Sequence, residues 1–296
     1  MKNQHDEGRR DGDFILAPPT EVENELPFQL IGAGCDFYQY AIERPFGFPA
    51  YQWIQTIRGR GVLHGPEERV EMGEDEGMLL YPDEEHRYYP INDLWYVHWI
   101  TFSGHHVPSI LHYLGMRVTG VYRLSNSAII ASRVRKALTT LQSDYPLRGI
   151  DGSAIVYQLL LDFLKYVQRD GNESRDSTVQ RLKPALDLIE AEIHRPISLD
   201  ELAATVGVTP QYFCDIFRSL TSYRPTEYVN KRRIDRAKDI LLREPDTRVH
   251  EITSRVGFES DSYFSTVFRK YEGISPRQYR DNHAGNARNA GNAKST

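Results

Sequence analysis

Apolar and polar positions change rhythm twice along the chain. From Phe28 to about Phe102, short runs rich in Tyr, Trp, Ile and Val are broken by Gly47, Pro49, Gly59, Gly61, Gly65, Pro66, Gly73, Gly77, Pro82 and Pro90. Short apolar runs with turn residues between them predict closely spaced strands, as in a small β-barrel or sandwich. The clearest runs are Tyr51–Ile57, Gly61–His64, Met78–Tyr81 and Tyr96–Phe102. Ala128, Ile129, Val134, Ala137, Leu138 and Leu141 then recur at helical spacing, as do Ile155, Leu159, Leu160, Phe163, Leu164 and Val167. Gln168–Ser177 (QRDGNESRDS) contains no apolar residue and reads as a linker. From Leu182 to Tyr279 the pattern is helical, with almost no strand texture.

The predicted architecture is α+β in two domains. A flexible arm, residues 1–24 with Pro18 and Pro19, precedes a β-rich unit over 25–124 and a helical segment over 125–168. A linker over 169–180 leads to an all-helical unit over 181–281, followed by a polar tail, 282–296, expected to be disordered.

The helical half repeats itself. Leu199–Arg218 (LDELAATVGVTPQYFCDIFR) and Val249–Arg269 (VHEITSRVGFESDSYFSTVFR) share Gly207/Gly257, Tyr212-Phe213/Tyr263-Phe264 and Phe217-Arg218/Phe268-Arg269. A helix-turn-helix needs a small residue where its helices touch, a Gly in the turn and apolar positions that fix the interhelix angle. Ala203, Gly207, Leu202, Val206, Val208, Phe213 and Ile216 fill those roles in the first copy. Ser198 with Glu201 forms a capping-box pattern, and Thr209-Pro210 suits the start of the second helix. Between the copies, Pro225–Arg243 carries Lys231, Arg232, Arg233, Arg236, Lys238 and Arg243, a charge run that reads either as a solvated face or as one facing a DNA backbone.

These phrases, with RRIDRAKDIL and the closing VGFESDSYFSTVFRKYEGISPRQYR, resemble the AraC/XylS family of transcription regulators over Leu182–Arg280. The resemblance implies two units whose second helices enter major grooves about one helical turn, roughly 34 Å, apart. Exposed positions of those helices are the base-reading candidates: Gln211, Cys214 and Asp215 in the first, Asp261, Ser262, Ser265 and Thr266 in the second. Gln can pair with adenine and Asp can accept from cytosine, although either Asp can instead cap a helix or form an ion pair within the protein. Phosphate contacts are expected from Arg218, Lys231, Arg232, Arg255, Arg269 and Arg277.

In the β-rich half, ERPFG (Glu43–Gly47), TIRGRGV (Thr56–Val62), YPDEEHRYY (Tyr81–Tyr89) and WYVHWITF (Trp95–Phe102) resemble the cupin-like sugar-sensing domain of arabinose-responsive regulators. The resemblance places Arg44, Tyr88 and Trp99 at a sugar site, with His86 and His98 nearby. A guanidinium presents a rigid fork to hydroxyls, and an indole stacks on the C–H face of a sugar. Trp99 reads equally as a core residue and Arg44 as a surface ion pair. Latching residues in the arm are not evident beyond Pro18 and Pro19. The helical pair, 127–143 and 152–168, is implied to form a homodimer, with the first helix the better interface because Arg133, Arg135 and Lys136 leave one stripe of Ile and Leu; its apolar positions read equally as packing against the barrel.

A metal-dependent cupin enzyme is the competing class, but His64 lacks a paired His-X-His, and adjacent His105 and His106 cannot share one strand face. No metal, cofactor or catalytic residue is therefore expected. Cys35 and Cys214 alone make neither a disulfide framework nor a zinc site, and no apolar run approaches the ~18 residues of a membrane span. Met1–Asp13 lacks the apolar core of a signal peptide, so the chain is expected in the cytoplasm.

Charge sharpens the division. Residues 1–179 carry 17 Lys+Arg and 25 Asp+Glu, while 180–281 carry 17 and 16. The overall −5 therefore misrepresents the helical half, whose positive charge must be concentrated on one face to bind DNA. The expectation is a ligand-responsive activator of carbohydrate genes that binds operator DNA and contacts RNA polymerase. A third reading gives the barrel only a dimerising or partner-binding role.

Overall fold

The alternating runs of the N-terminal half assemble into one antiparallel sheet. The computed structural model describes residues 12–65, 69–168 and 173–283 and divides into two units at Ser177/Thr178. The strands are β1 (Phe14–Leu16), β2 (Gln29–Tyr38), β3 (Ile42–Arg44), β4 (Tyr51–His64), β5 (Arg69–Met72), β6 (Glu76–Leu80), β7 (His86–Ser103) and β8 (Gly120–Arg123). Their order is β1-β2-β7-β4-β6-β8, with β3 on β7 and β5 on β4. A short helix α1 (Glu21–Asn24) follows β1, and α2 (Val107–Leu114), α3 (Ser127–Gln142) and α4 (Arg148–Tyr166) complete the unit.

Successive strand residues point to opposite faces, and both faces of this sheet are buried. Trp53, Ile100 and Phe102 pack with Ile130, Val134, Leu159 and Phe163 of α3 and α4. On the other face Ile54 joins Leu63, Met78, Leu80, Tyr88, Trp95 and Val97.

Three features differ from the sequence expectation. The two runs Tyr51–Ile57 and Gly61–His64 are one strand, because Gly59 and Gly61 sit at register shifts against β7 rather than in a turn. The expected arm is structured from residue 13 onward: Cys35 N–H donates to Asp13 O, Ala17 N–H to Ile31 O, and Phe14–Leu16 pair with β2. Residues 175–180, assigned to the linker, are helical; 169–172 and most of the expected tail, 284–296, lie outside the described residues.

The second unit is helical: α5 (Arg175–Glu192), α6 (Leu199–Thr205), α7 (Pro210–Thr221), α8 (Pro225–Arg243), α9 (Val249–Arg255), α10 (Asp261–Glu272) and a closing helical stretch, 276–283. Ser198, Thr209 and Ser260 each cap the following helix through a side-chain oxygen. In the predicted capping box only half forms, since the Glu201 carboxylate turns to Arg195. The two copies share the same turn bonding: Val208 N–H donates to Ala203 O as Phe258 N–H does to Thr253 O. Each copy has its own apolar core. Leu182, Ile189, Leu202, Phe213 and Phe217 form the first, and Ile234, Leu241, Ile252, Phe264 and Phe268 the second. Helix α8 feeds both, through Val229 into the first and Ile234 into the second.

Candidate functional site

A cavity of about 170 Å³ opens at the β1–β2–β7 edge of the sheet, lined by Phe14, Leu16, Phe37, Gln39, Ile42, Arg44, Phe48, Gln52, Ile54, Tyr88 and Trp99. It is smaller than the ~300–1,000 Å³ of pockets for drug-sized ligands and suits a compact guest. Arg44, Tyr88 and Trp99, all singled out in the sequence, meet here. Strand β3 brings Arg44 opposite His86 and Ile42 opposite Tyr88 in the β3–β7 ladder.

The polar groups are held before any guest arrives. Arg44 Nη1 donates to Gln52 Oε1 at 2.8 Å, and Gln52 Nε2 donates to Thr101 Oγ1 at 3.0 Å. The guanidinium carbon also sits 4.4 Å from the Phe48 ring centre. Burial pushes the Tyr88 hydroxyl up to about 12, partly offset by Arg44, so this phenol is neutral and able to donate. Trp99 is flanked by Phe37 edge-on and by Phe14, with centroids 6.5 and 6.2 Å away. Among the described residues neither the Trp99 indole N–H nor the Tyr88 hydroxyl has a hydrogen-bond partner.

Sequence reading missed Phe14 and Leu16 as well as Phe37, Gln39, Ile42, Phe48, Gln52 and Ile54. Phe14 and Leu16 come from the segment read as a flexible arm. They remain 52% and 56% exposed at the rim, so β1 covers the cavity without sealing it. The legible signal was the short apolar run Phe14-Ile15-Leu16 that follows a charged stretch.

The two histidines are not part of the cavity lining. His98 follows Val97 and precedes Trp99 on a regular strand, so it faces the opposite side from Trp99. Its Nδ1 accepts from Asp36 N–H at 3.0 Å, and Arg135 Nη1 of α3 lies 2.9 Å from Nε2. His86 stacks on Tyr88 at 5.9 Å and bonds through Nδ1 to Glu84 O, while a separate groove with His64 and Glu43 runs beside it. Burial lowers the pKa of both rings.

On the helical unit, Gln211 and Asp215 are exposed on α7 and Cys214 is half-buried; Ser262 and Thr266 are exposed and Ser265 half-buried on α10. Asp261 is already engaged. Hydrogen bonding by Thr253 and then His250, whose Nδ1 lies 2.9 Å from Oδ2, holds its carboxyl below the ordinary range.

The basic candidates divide into two sets. Arg218, Arg269 and Arg277 are exposed and form no ion pair among the described residues. Arg232 is instead bound to Glu190 at 2.6 and 3.0 Å, and Arg255 to Glu244 at 2.6 and 2.9 Å. Lys231 lies 5.9 Å from the Tyr271 ring centre. On α8, Lys238 pairs with Glu272 and Arg233 is buried. Helix α8 therefore presents only part of its basic run to solvent, with Arg236 and Arg243 exposed.

The α3 stripe expected at a dimer surface is also engaged internally: Ile130, Val134, Ala137, Leu138 and Leu141 are buried in the unit's own core. Exposed apolar positions are more numerous on helix α4 and the residue before it, with Leu147 51%, Ile150 55% and Tyr157 45% exposed, Ala154 exposed and Leu161 half-buried, against Ile129 at 36% on α3.

Residues 35–160 match the family described as AraC-like ligand binding domain, and residues 202–282 match a helix-turn-helix domain family. A regulator in the cgkA 5′ region of Pseudoalteromonas carrageenovora, described as HTH-type, is 30% identical over 39% of this chain and 72% of its own length. The arabinose operon regulatory protein of Salmonella typhimurium is 24% identical over 82% of this chain and 88% of its own. The regulator GbdR of Pseudomonas aeruginosa is 36% identical over 34% of this chain, which spans only 27% of GbdR. Among the described residues no helix is long and apolar enough to cross a membrane.

Proposed function

The chain belongs to the AraC/XylS family of transcription regulators, with a ligand-binding domain and a helix-turn-helix DNA-binding domain, and on that premise we propose that it senses a sugar-like effector in the Trp99 cavity and switches the occupancy of operator DNA. The observation that carries this reading is one cavity that joins an indole face with a free N–H, a neutral phenol and a guanidinium braced by Gln52 and Thr101. The indole and Phe37 would face sugar C–H groups while Arg44, Tyr88 and Gln39 take hydroxyls. Phe14 and Leu16 at the rim would pack on a guest and so couple it to the β1 segment.

In this reading the chain works in the cytoplasm as a homodimer joined through α4 and the residue before it, where exposed positions 147, 150, 154 and 157 and half-buried 161 follow the 3–4 spacing of a coiled-coil seam. It activates carbohydrate-utilisation genes by contact with RNA polymerase; the support is the match to the arabinose operon regulator across most of both chains. DNA contacts come from Gln211, Cys214, Asp215, Ser262, Ser265 and Thr266 at bases and from Arg218, Arg269, Arg277 and Lys231 at phosphates. Arg232 and Arg255 reach phosphate only by exchanging their carboxylate partners, and Asp261 serves α10 more than a base.

Thermal-shift measurements on the full chain against pentoses, hexoses and short oligosaccharides test the effector. A sugar should raise the melting temperature of the wild type and not that of Arg44→Met. A panel with no stabilising sugar would leave the domain a dimerising role instead.

A further inference from the structure

The two helix-turn-helix copies have separate apolar cores bridged by α8, so their mutual placement depends on how that helix is held and on the contacts between the copies. Part of that boundary is open: a cavity of about 190 Å³ is bounded by Leu199 and Leu202 of α6, Val229 and Arg233 of α8, and Tyr263 of α10. Beside this gap the contact is a polar clasp. Arg233 is 9% exposed; its Nε donates to Ile193 O at 3.0 Å and its Nη2 to Arg195 O at 2.6 Å. Both acceptors belong to the segment that leaves α5 for the first copy. The guanidinium carbon lies 5.5 Å from the ring centre of Phe258, in the turn of the second copy.

Each side of the clasp is tied further into its own copy. Arg195 bonds the Glu201 carboxylate of α6 through two nitrogens. On the other side, a Cβ at Gly257 would come within 2.4 Å of Ile193 O, so the turn backbone touches the same carbonyl that Arg233 holds. The equivalent Gly207 shares the positive φ, but a Cβ there would meet nothing within 4 Å. The two glycines therefore differ: Gly207 answers only to its own turn, whereas Gly257 also answers to the other copy.

We propose that Arg233, with Ile193 O, Arg195 O and Gly257, is a positioning element that sets the spacing and angle of the two DNA-reading helices and so makes the chain selective for the distance between its two operator sub-sites. Arg233 is not a DNA contact in this scheme, despite its place in the basic α8 sequence, because its donors are turned inward. Inserting one base pair moves one sub-site by ~3.4 Å and rotates it by ~35° about the duplex. A rigid pair of helices cannot follow that change; a loosened pair can. The proposal rests on both copies engaging one duplex.

The test uses the full chain and a duplex selected from a random pool by the wild-type protein, together with derivatives carrying one or two base pairs inserted between the contacted sub-sites. Wild type should bind at least about tenfold more weakly per inserted pair, against a smaller penalty of under about threefold for Arg233→Gln. Arg233→Lys keeps the charge but replaces the rigid planar fork over Phe258 with a flexible ammonium, and Gly257→Ala presses on the clasp from the other side. Both should show intermediate penalties, and either serves if Arg233→Gln does not fold. Variants that weaken binding to every duplex by one factor, leaving the insertion penalty at the wild-type value, would overturn the positioning role. A wild-type chain that selects no duplex, or whose footprint covers one sub-site only, would instead contradict the two-copy DNA binding on which it rests.

Discussion

Trp99 lies across the backbone of Gly34, its partner in the β2–β7 ladder, so closely that a Cβ at position 34 would fall 2.3 Å from the indole nitrogen. The bare strand backbone is what lets the indole lie flat as one wall of the cavity.

Gly34→Ala should therefore displace Trp99 and close or distort the cavity. The expected cost is about 1–3 kcal/mol of stability, as for other forced overpacking. Urea denaturation reads the stability, and sugar titration should show binding weakened more strongly than stability alone explains. Unchanged sugar affinity in a folded Gly34→Ala chain would remove Trp99 from the site.

Introducing charge on the exposed face of α4 should separate the dimer. Ile150→Asp combined with Tyr157→Asp should sediment as a monomer at micromolar concentration, while Ile129→Asp on α3 should remain dimeric. The opposite result would return the interface to α3.

Removing a free arginine should matter more to DNA binding than removing a paired one. Arg218→Ala and Arg269→Ala should weaken binding to all duplexes and lower the logarithmic salt dependence by about 0.9 for each phosphate no longer neutralised. Arg232→Ala and Arg255→Ala, which free Glu190 and Glu244, should change the salt slope less. Equal slopes for all four would mean that these ion pairs open on DNA.

Acid should weaken the N-terminal unit before carboxylates titrate. Burial holds His86 and His98 below the ordinary imidazole value of 6.5, so the folded unit keeps both rings neutral where the unfolded chain protonates them. With more protons bound in the unfolded state, stability rises with pH in that window. It is unaffected by these rings above 6.5, falls as pH drops below 6.5, and levels off once the folded rings also protonate. Denaturation midpoints at pH 7.5 and 5.5 should differ less in His98→Asn than in the wild type.

The repeated half was legible because its signals are local: Gly207 and Gly257, the paired Tyr-Phe, and the Ser198 and Thr209 caps all act within a few residues. Arg44, Tyr88 and Trp99 were legible as a set only through family resemblance, since 44 and 99 converge through a ladder that periodicity cannot register. The misreadings share a cause. Gly59 and Gly61 carry the same letters in a register shift as in a turn. Whether Arg232 is free depends on Glu190, 42 residues away, and whether Arg233 is exposed depends on carbonyls of 193 and 195. Both α3 and α4 have an apolar stripe, and only the sheet against which they pack decides which stripe is left outside.

Effector and DNA must influence each other if the central claim holds, and linkage makes that influence reciprocal. The direct measurement is the affinity of the full chain for its selected operator duplex, by fluorescence anisotropy, with and without the sugar that stabilises it. A change of about fivefold or more is expected, with the same factor appearing when sugar affinity is measured with and without DNA, and with neither effect in Trp99→Ala. A sugar that binds the cavity yet leaves operator affinity unchanged would contradict the account.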